Sequence, residues 1–303
     1  MRRNFLTISD LSREELFGLL DRADELKALR GSSAHPRPLE GKSIAVVFEK
    51  ASTRTRLSFQ VGIHELGAQP VTLNSKDTQL GRGEPIEDTA RMLSRYVHGV
   101  VYRTFGHDRL EALASCSTIP VVNGLSDKFH PVQLLADMMT IRQSFGPALD
   151  GARVAWIGDG NNMANSWIVS AGLAGFELVL ACPAGYQPDE QVLADARARG
   201  AKVRVVGRPE EALEGATVVS TDVWASMGQE DEASERQGAF AGFIVDEAGM
   251  GRTASGAIFL HCLPAHRGEE VSAAVIDGPQ SRVWDEAENR LHTQKALLEW
   301  LVV

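Results

Sequence analysis

Several short segments place ion-binding or reactive side chains where loops follow apolar runs. The first is Ser52-Thr53-Arg54-Thr55-Arg56, in which three hydroxyls and two guanidinium groups stand at the opening of a helical pattern. Backbone N–H groups at a helix start favour anions. Each charge-assisted hydrogen bond there contributes about 1.5–3 kcal/mol, so the segment suits a phosphate or carboxylate. A polar helix cap with solvated arginines has the same composition. The spacing is not that of a P-loop, GxxxxGK[ST]. Arg103 stands one residue past the apolar run Val97–Tyr102, and His130-Pro131-Val132-Gln133 sets an imidazole just before a helix and an amide one turn inside it. Both of the latter can face one ligand at the helix N-terminus. Gln79-Leu80-Gly81-Arg82-Gly83-Glu84-Pro85 reads as a shaped loop or as a plain exposed turn.

The second half carries chemistry of another kind. Gly158-Asp159-Gly160-Asn161-Asn162 is similar to the opening of a dinucleotide fingerprint, but Met163 stands where the third glycine belongs. The amides of Asn161 and Asn162 instead suit the charged ends of an amino acid. Asp222-Val223-Trp224-Ala225-Ser226-Met227-Gly228 and His261-Cys262-Leu263-Pro264 follow two further apolar runs. A thiol beside an imidazole suggests a nucleophile, and His261 with His266 suggests a metal pair. Neighbours at a strand end point apart, and no second metal-type cluster accompanies them, so both readings are disfavoured. A binding or proton-handling role for Cys262 stays open.

These loops need strands and helices to hold them. Ser12 and Glu15 form a capping-box pattern, followed by an apolar face of Leu16, Leu19, Leu20, Ala23 and Leu26. Ser43–Phe48, Val97–Tyr102 and Ile119–Val122 read as strands, and Leu57–Leu66 and the stretch after Pro131 as helices. Arg153–Ile157, Leu178–Ala181, Val203–Val206, Thr217–Ser220 and Ile258–Leu260 form a second series of strands. The alternation predicts an α/β protein of two doubly wound domains with mainly parallel sheets and the active site in the cleft between them. The domains are expected at 1–145 and 146–303, divided near Phe145–Gly151, with a final helix over about 286–301 packing back on the first domain.

Composition narrows the class. The chain has 303 residues, 31 Lys and Arg against 40 Asp and Glu, and a formal net charge of −9. That balance argues against nucleic acid as a partner, because such binding rests on neutralising many phosphates. No apolar run is long enough for a membrane span, and no apolar stretch follows the charged start as in a secretory signal. Cys116, Cys182 and Cys262 are widely spaced with no CxxC, which fits a cytoplasmic protein without a disulfide framework or a structural zinc site.

Taken in order along the whole chain, the segments resemble the aspartate/ornithine carbamoyltransferase family. Ser52–Arg56 and His130–Gln133 resemble its carbamoyl-phosphate motifs; Asp222 with Ser226-Met227-Gly228, and His261–Pro264, resemble its ornithine-type branch. The resemblance implies transfer of a carbamoyl group from carbamoyl phosphate to L-ornithine, giving L-citrulline and phosphate, with no metal and no organic cofactor. It also implies a homotrimer in which the loop of Gln79 and Arg82 reaches a neighbouring subunit. By this likeness, Ser52, Thr53, Arg54, Thr55 and Arg103 hold the phosphate, with Gln79 completing the pocket. Arg103, Thr55 and His130 polarise the carbamoyl oxygen, and Gln133 holds the carbamoyl amide. Asn162, Asp222, Ser226 and Met227 grip ornithine, while Cys262, Leu263 and Arg290 line the place of attack.

An alkylammonium has a pKa of about 10.4, so a neutral amine at pH 7 costs about 4.6 kcal/mol. Asp222 or Cys262 is the expected proton acceptor, and turnover is expected to rise between about pH 7 and 9. The segment Ser226–Gly238, with few apolar residues, is expected to close as a lid. A noncatalytic metabolite-binding relative and a Rossmann-type oxidoreductase are the alternatives. The intact Arg54, Arg103, His130 and Cys262 weigh against the first. The missing glycine weighs against the second.

Overall fold

The computed structural model describes residues 3–50, 52–75, 78–225 and 232–303. The chain forms two compact units, one of residues up to Met139 together with Ala287–Val303, the other of Thr140–Glu286. The division falls inside two continuous helices, α5 (Pro131–Phe145) and α12 (Val283–Val302). The glycine- and proline-rich stretch at 145–151 marks where α5 stops, which is a local backbone event. The change of packing partner comes six residues earlier, at Met139.

In the first unit, β1 (Ser43–Phe48), β2 (Gln69–Asn74), β3 (Gly99–Arg103) and β4 (Val121–Leu125) form a parallel sheet of order β2-β1-β3-β4. β1 and β3 are buried almost throughout, as apolar runs without alternation require in a parallel sheet covered on both faces. β2, half-exposed and carrying Pro70, lies at the edge, where a missing donor is tolerated. Helices α1 (Arg13–Ala28), α2 (Arg54–Glu65), α3 (Ile86–Tyr96) and α4 (His107–Cys116) complete this unit with the adjoining parts of α5 and α12. The Ser12–Glu15 capping box forms, and the five apolar residues of α1 are buried. α2 begins three residues before the expected Leu57, so that Arg54, Thr55 and Arg56 form its first turn rather than a preceding loop.

The second unit holds β5 (Arg153–Ile157), β6 (Glu177–Ala181), β7 (Val203–Val206), β8 (Val218–Thr221) and β9 (Ile258–His261), parallel in the order β7-β6-β5-β8-β9. Around it lie α6 (Asn162–Ala174), α7 (Glu190–Ala198), α8 (Pro209–Leu213), α9 (Ala233–Ala239), α10 (Glu247–Met250) and α11 (Ala273–Ile276). No helix among the described residues is long and apolar enough to cross a membrane.

Both sheets reverse their winding once. From β1 the chain goes to one side for β2 and to the other for β3; from β5 it goes to β6 and β7, then across to β8. At such a point successive loops leave the carboxyl ends in opposite directions and open a crevice that binds ligands. The carboxyl ends of β1 and β3, and of β5 and β8, with the loops and helix starts that follow them, carry Ser52–Thr55, Arg103, Gly158–Asn162 and Asp222.

Candidate active site

At the switch point of the first unit, three guanidinium groups act on one imidazole. His130 lies just before α5 and is 5% exposed; Arg103, at the end of β3, and Arg290, on α12, are buried as deeply. Burial is the main reason that His130 has a pKa well below that of a free imidazole, and the charges of Arg290, Arg103 and Arg54 push it lower. His130 is therefore neutral at physiological pH. It can donate an N–H to a carbonyl oxygen without adding charge.

Arg290 ties the cluster together. Its guanidinium donates to Thr55 Oγ1 at 2.8 Å and to Gln133 Oε1 at 2.5 Å. Gln133 in turn donates to Asp137 Oδ1 at 2.7 Å, one turn along α5. This chain fixes the amide with its oxygen on Arg290 and its nitrogen on Asp137. Asp137 is a positioning group that the sequence reading missed, although its i, i+4 spacing from Gln133 was there to be read. Ser52 is half-buried and Thr53 exposed. Thr53 stands at the N-cap of α2 with helical backbone angles and makes no side-chain capping hydrogen bond. Arg56 does not join Arg54: its guanidinium lies 4.8 Å over the Phe48 ring and donates to Asn74 Oδ1. The cradle of two arginines expected within this segment thus has one, and Arg103 and Arg290 supply the remaining charge. Gln79 sits exposed on a 3-10 turn, Gln79–Arg82, outside the buried set.

The second unit builds an acidic and amide-rich counterpart. Asn161 caps α6, its side-chain oxygen accepting from Met163 N and Ala164 N, while its Nδ2 donates to Asp222 Oδ2 at 3.0 Å. Asp222 Oδ1 accepts from Val223 N at 2.9 Å and from the Cys262 thiol at 3.2 Å. Asn162 follows half-buried as the first residue of α6. Gly158 has φ 137°, and a Cβ on Gly160 would lie 2.2 Å from the backbone of Gln187 and Pro188. The two glycines therefore serve a turn and a close backbone approach. Neither is needed to admit a pyrophosphate.

Asp222, His261 and Cys262 do come within 4.8 Å of one another, a grouping the spacing did not suggest, as do His266, Glu269 and Glu270. In the first group both ring nitrogens of His261 are engaged. Nδ1 accepts from Leu263 N at 2.9 Å, which leaves Nε2 as the donor to Glu270 Oε1 at 3.2 Å. His261 and Cys262 thus turn to different partners, and the imidazole acts as an internal strut. It holds Leu263, whose φ of 60° lies in the left-handed region, an uncommon conformation for a side-chain-bearing residue. His266 is exposed and pairs with Glu269 at 3.4 Å.

Ser226 and Met227, and with them the first half of the expected lid, lie outside the described residues. Its second half is anchored rather than bare. Arg236 on α9 pairs with Asp159 at 2.7 Å, donates to the Trp224 carbonyl at 2.9 Å and lies 5.0 Å over the Tyr186 ring. Burial raises the Asp159 pKa above the usual carboxylate value, with the bonded Arg236 pulling the other way.

Residues 3–143 match the family model described as the carbamoyl-P binding domain of aspartate/ornithine carbamoyltransferase, and residues 150–301 match the Asp/Orn binding domain. The chain belongs to the aspartate/ornithine carbamoyltransferase family. Within that family it is 56% identical over 301 residues to an ornithine carbamoyltransferase of Halorhodospira halophila, with 99% of each chain covered. It is 54% identical over 300 residues to an anabolic one of Pseudomonas aeruginosa, covering 99% of this chain and 97% of that one. The solved ornithine carbamoyltransferase of Pyrococcus furiosus superposes with a TM-score of 0.93 at 46% identity, covering 99% of this chain and 97% of that one. The family's two matched segments each contain one of the two switch points. Arg290, whose partners belong to the carbamoyl-phosphate segment, falls within the span of the second match.

Proposed function

We propose that this chain transfers the carbamoyl group of carbamoyl phosphate to the side-chain amine of L-ornithine, giving L-citrulline and phosphate, in arginine biosynthesis. The observation that carries the reading is a neutral His130 set among Arg54, Arg103 and Arg290. Three cations suit a phosphate dianion, and an uncharged N–H donor suits a carbamoyl oxygen that gains negative charge during attack. Ser52, Thr53, Arg54, Thr55 and Arg103 hold the phosphate, with Gln79 completing the pocket. Gln133, oriented by Arg290 and Asp137, meets the carbamoyl amide.

Ornithine is held in this reading by Asn162, Asp222, Ser226 and Met227, with Cys262 and Leu263 beside the attacked carbon. The two candidate proton acceptors form one hydrogen-bonded pair, since the Cys262 thiol donates to Asp222. The amine proton goes to that pair as nitrogen bonds to the carbamoyl carbon and the C–O bond to phosphate breaks. Turnover rises from about pH 7 to 9, with deprotonation of the amine contributing. The enzyme works in the cytoplasm as a homotrimer. Leu57 and Val61, one turn apart on α2, are exposed apolar side chains of the kind a subunit contact covers. Light scattering that finds a fully active monomer defeats that assembly.

The activity is tested by citrulline formation from carbamoyl phosphate with ornithine, acetylornithine, putrescine or aspartate. Product with ornithine alone is expected. A preference for any of the other three overturns the assignment.

A further inference from the structure

The phosphate-binding turn is the first turn of α2, and α2 is gripped at both ends by one other helix. At its N-terminal end Thr55 accepts from Arg290; at its C-terminal end Glu65 accepts from Lys295 Nζ at 2.7 Å. Arg290 and Lys295 lie five residues apart on α12, and the Lys295 side chain is fully buried. Gly62 sits where the two helices meet. A Cβ there would lie 3.2 Å from Lys295 Cγ and 3.4 Å from Leu291 Cδ1, so the approach leaves no room for a side chain without a shift.

The ammonium is locked from other sides. His35 Nδ1 lies 3.0 Å from the Pro36 carbonyl, to which it donates, and this leaves Nε2 to accept from Lys295 at 2.9 Å. Arg30 takes the other oxygen of Glu65 at 3.0 Å. Burial pushes the Glu65 pKa up, but its hydrogen bonds and charge pairing with Lys295 and Arg30 prevail and hold it below the usual carboxylate value. None of these groups is among those assigned to substrate.

We propose that Lys295 is a positioning residue for carbamoyl phosphate: its ion pair with Glu65, seated on Gly62, sets where α2 presents Arg54 and Thr55 to the anion. A helix of twelve residues spans roughly 18 Å; with its C-terminal anchor gone, α2 is left to tilt or slide about the Arg290–Thr55 contact, and its first turn shifts with it. The effect passes through Arg54 and Thr55, and the inference rests on their role in holding the phosphate.

The test compares Lys295→Met, Lys295→Arg, Gly62→Ala and Glu65→Gln with the parent chain. Lys295→Met and Gly62→Ala are expected to raise the KM for carbamoyl phosphate about tenfold, well short of the roughly hundredfold cost of a 1 Å misplacement. The KM for ornithine at saturating carbamoyl phosphate should stay within about twofold, and Lys295→Arg should recover most of the loss. Calorimetric binding of inorganic phosphate, which needs no turnover, should weaken in the same order.

Lys295→Met that melts earlier yet keeps its carbamoyl-phosphate KM and phosphate affinity overturns the proposal and leaves Lys295 a packing residue. If Lys295→Met does not fold, unchanged phosphate affinity in Gly62→Ala and Glu65→Gln overturns it equally. A parent chain that binds phosphate but forms no citrulline instead refutes the reaction assigned above, while the phosphate titrations still decide the role of Lys295.

Discussion

The two units solve one topological problem with opposite chemistry. Each places its reactive side chains at the switch point of a parallel sheet, yet the first gathers guanidinium groups around an uncharged imidazole and the second gathers a carboxylate, amides and a thiol. The difference follows from what each is proposed to hold. A phosphate dianion is read by fixed positive charge, buried so that water does not weaken it. An amino acid with a cationic side chain is read by acceptors and by groups that can take its proton. The construction differs too. Arg290, Thr55, Gln133 and Asp137 lie on three packed helices, whereas Asp222 stands on a loop and is steadied by Asn161 and Cys262.

The contrast yields its largest effect at Arg103. Arg103→Ala should lower kcat/KM for carbamoyl phosphate by about 10²–10³, while the binding of an ornithine analogue to the free enzyme changes little. Steady-state kinetics measure the first and calorimetric titration of the free enzyme the second, and an equal loss of affinity for inorganic phosphate and for the ornithine analogue breaks the division of labour. Next in size, Asp222→Asn removes a charge but keeps the shape. At about 1.5–3 kcal/mol for a charge-assisted contact, kcat/KM for ornithine should fall roughly ten- to 150-fold, with phosphate affinity retained. If phosphate affinity falls by a similar factor, the carboxylate belongs to both substrates.

The smallest effect concerns acid. Burial lowers the pKa of His130 well below its usual value and that of His292, on α12, to about 4, with the Lys295 charge adding to the latter. A histidine that stays neutral when folded but takes a proton below about pH 6.5 when unfolded makes the unfolded state the one that binds protons. Stability is therefore complete above about pH 6.5 and declines as pH falls below it. Denaturant titrations at pH 7.5 and 5 should show the loss, and hydrogen exchange should place it in the first unit, which holds both residues. His292→Met should shrink the difference between the two pH values. An unaltered difference removes His292 from this account.

Much of this was legible in the sequence because it is local. Unbroken apolar runs such as SIAVVF announce buried parallel strands, and a polar loop directly after such a run lies at the carboxyl edge of the sheet. That reasoning reached Arg54, Thr55, Arg103, His130 and Asp222 one by one. It could not reach the direction of Arg56, which turns back onto Phe48 and Asn74 because α2 starts early and rotates that position away. Nor could it show that Asn161 serves both as helix cap and as partner of Asp222, since the two are 61 residues apart. Met163 was enough to set the dinucleotide pattern aside, but not to say what the glycines do: Gly158 takes a φ of 137°, and Gly160 is required by the backbone of Gln187 and Pro188, which no local motif records. Arg290 came only through likeness to a family, its contact with Thr55 spanning 235 positions.

That last contact sets a timetable. Thr55 and Gln133 leave the ribosome long before their shared guanidinium, which is translated 157 residues after Gln133, with the whole of the second unit in between. At about 5–20 residues per second, the wait is roughly 8 to 30 seconds. By its end a nascent chain can have completed both sheets while the residue that joins the Thr55 hydroxyl to the Gln133 amide is still missing. A chain stalled just before Arg290 would have both sheets but neither of the hydrogen bonds that tie Thr55 to Gln133.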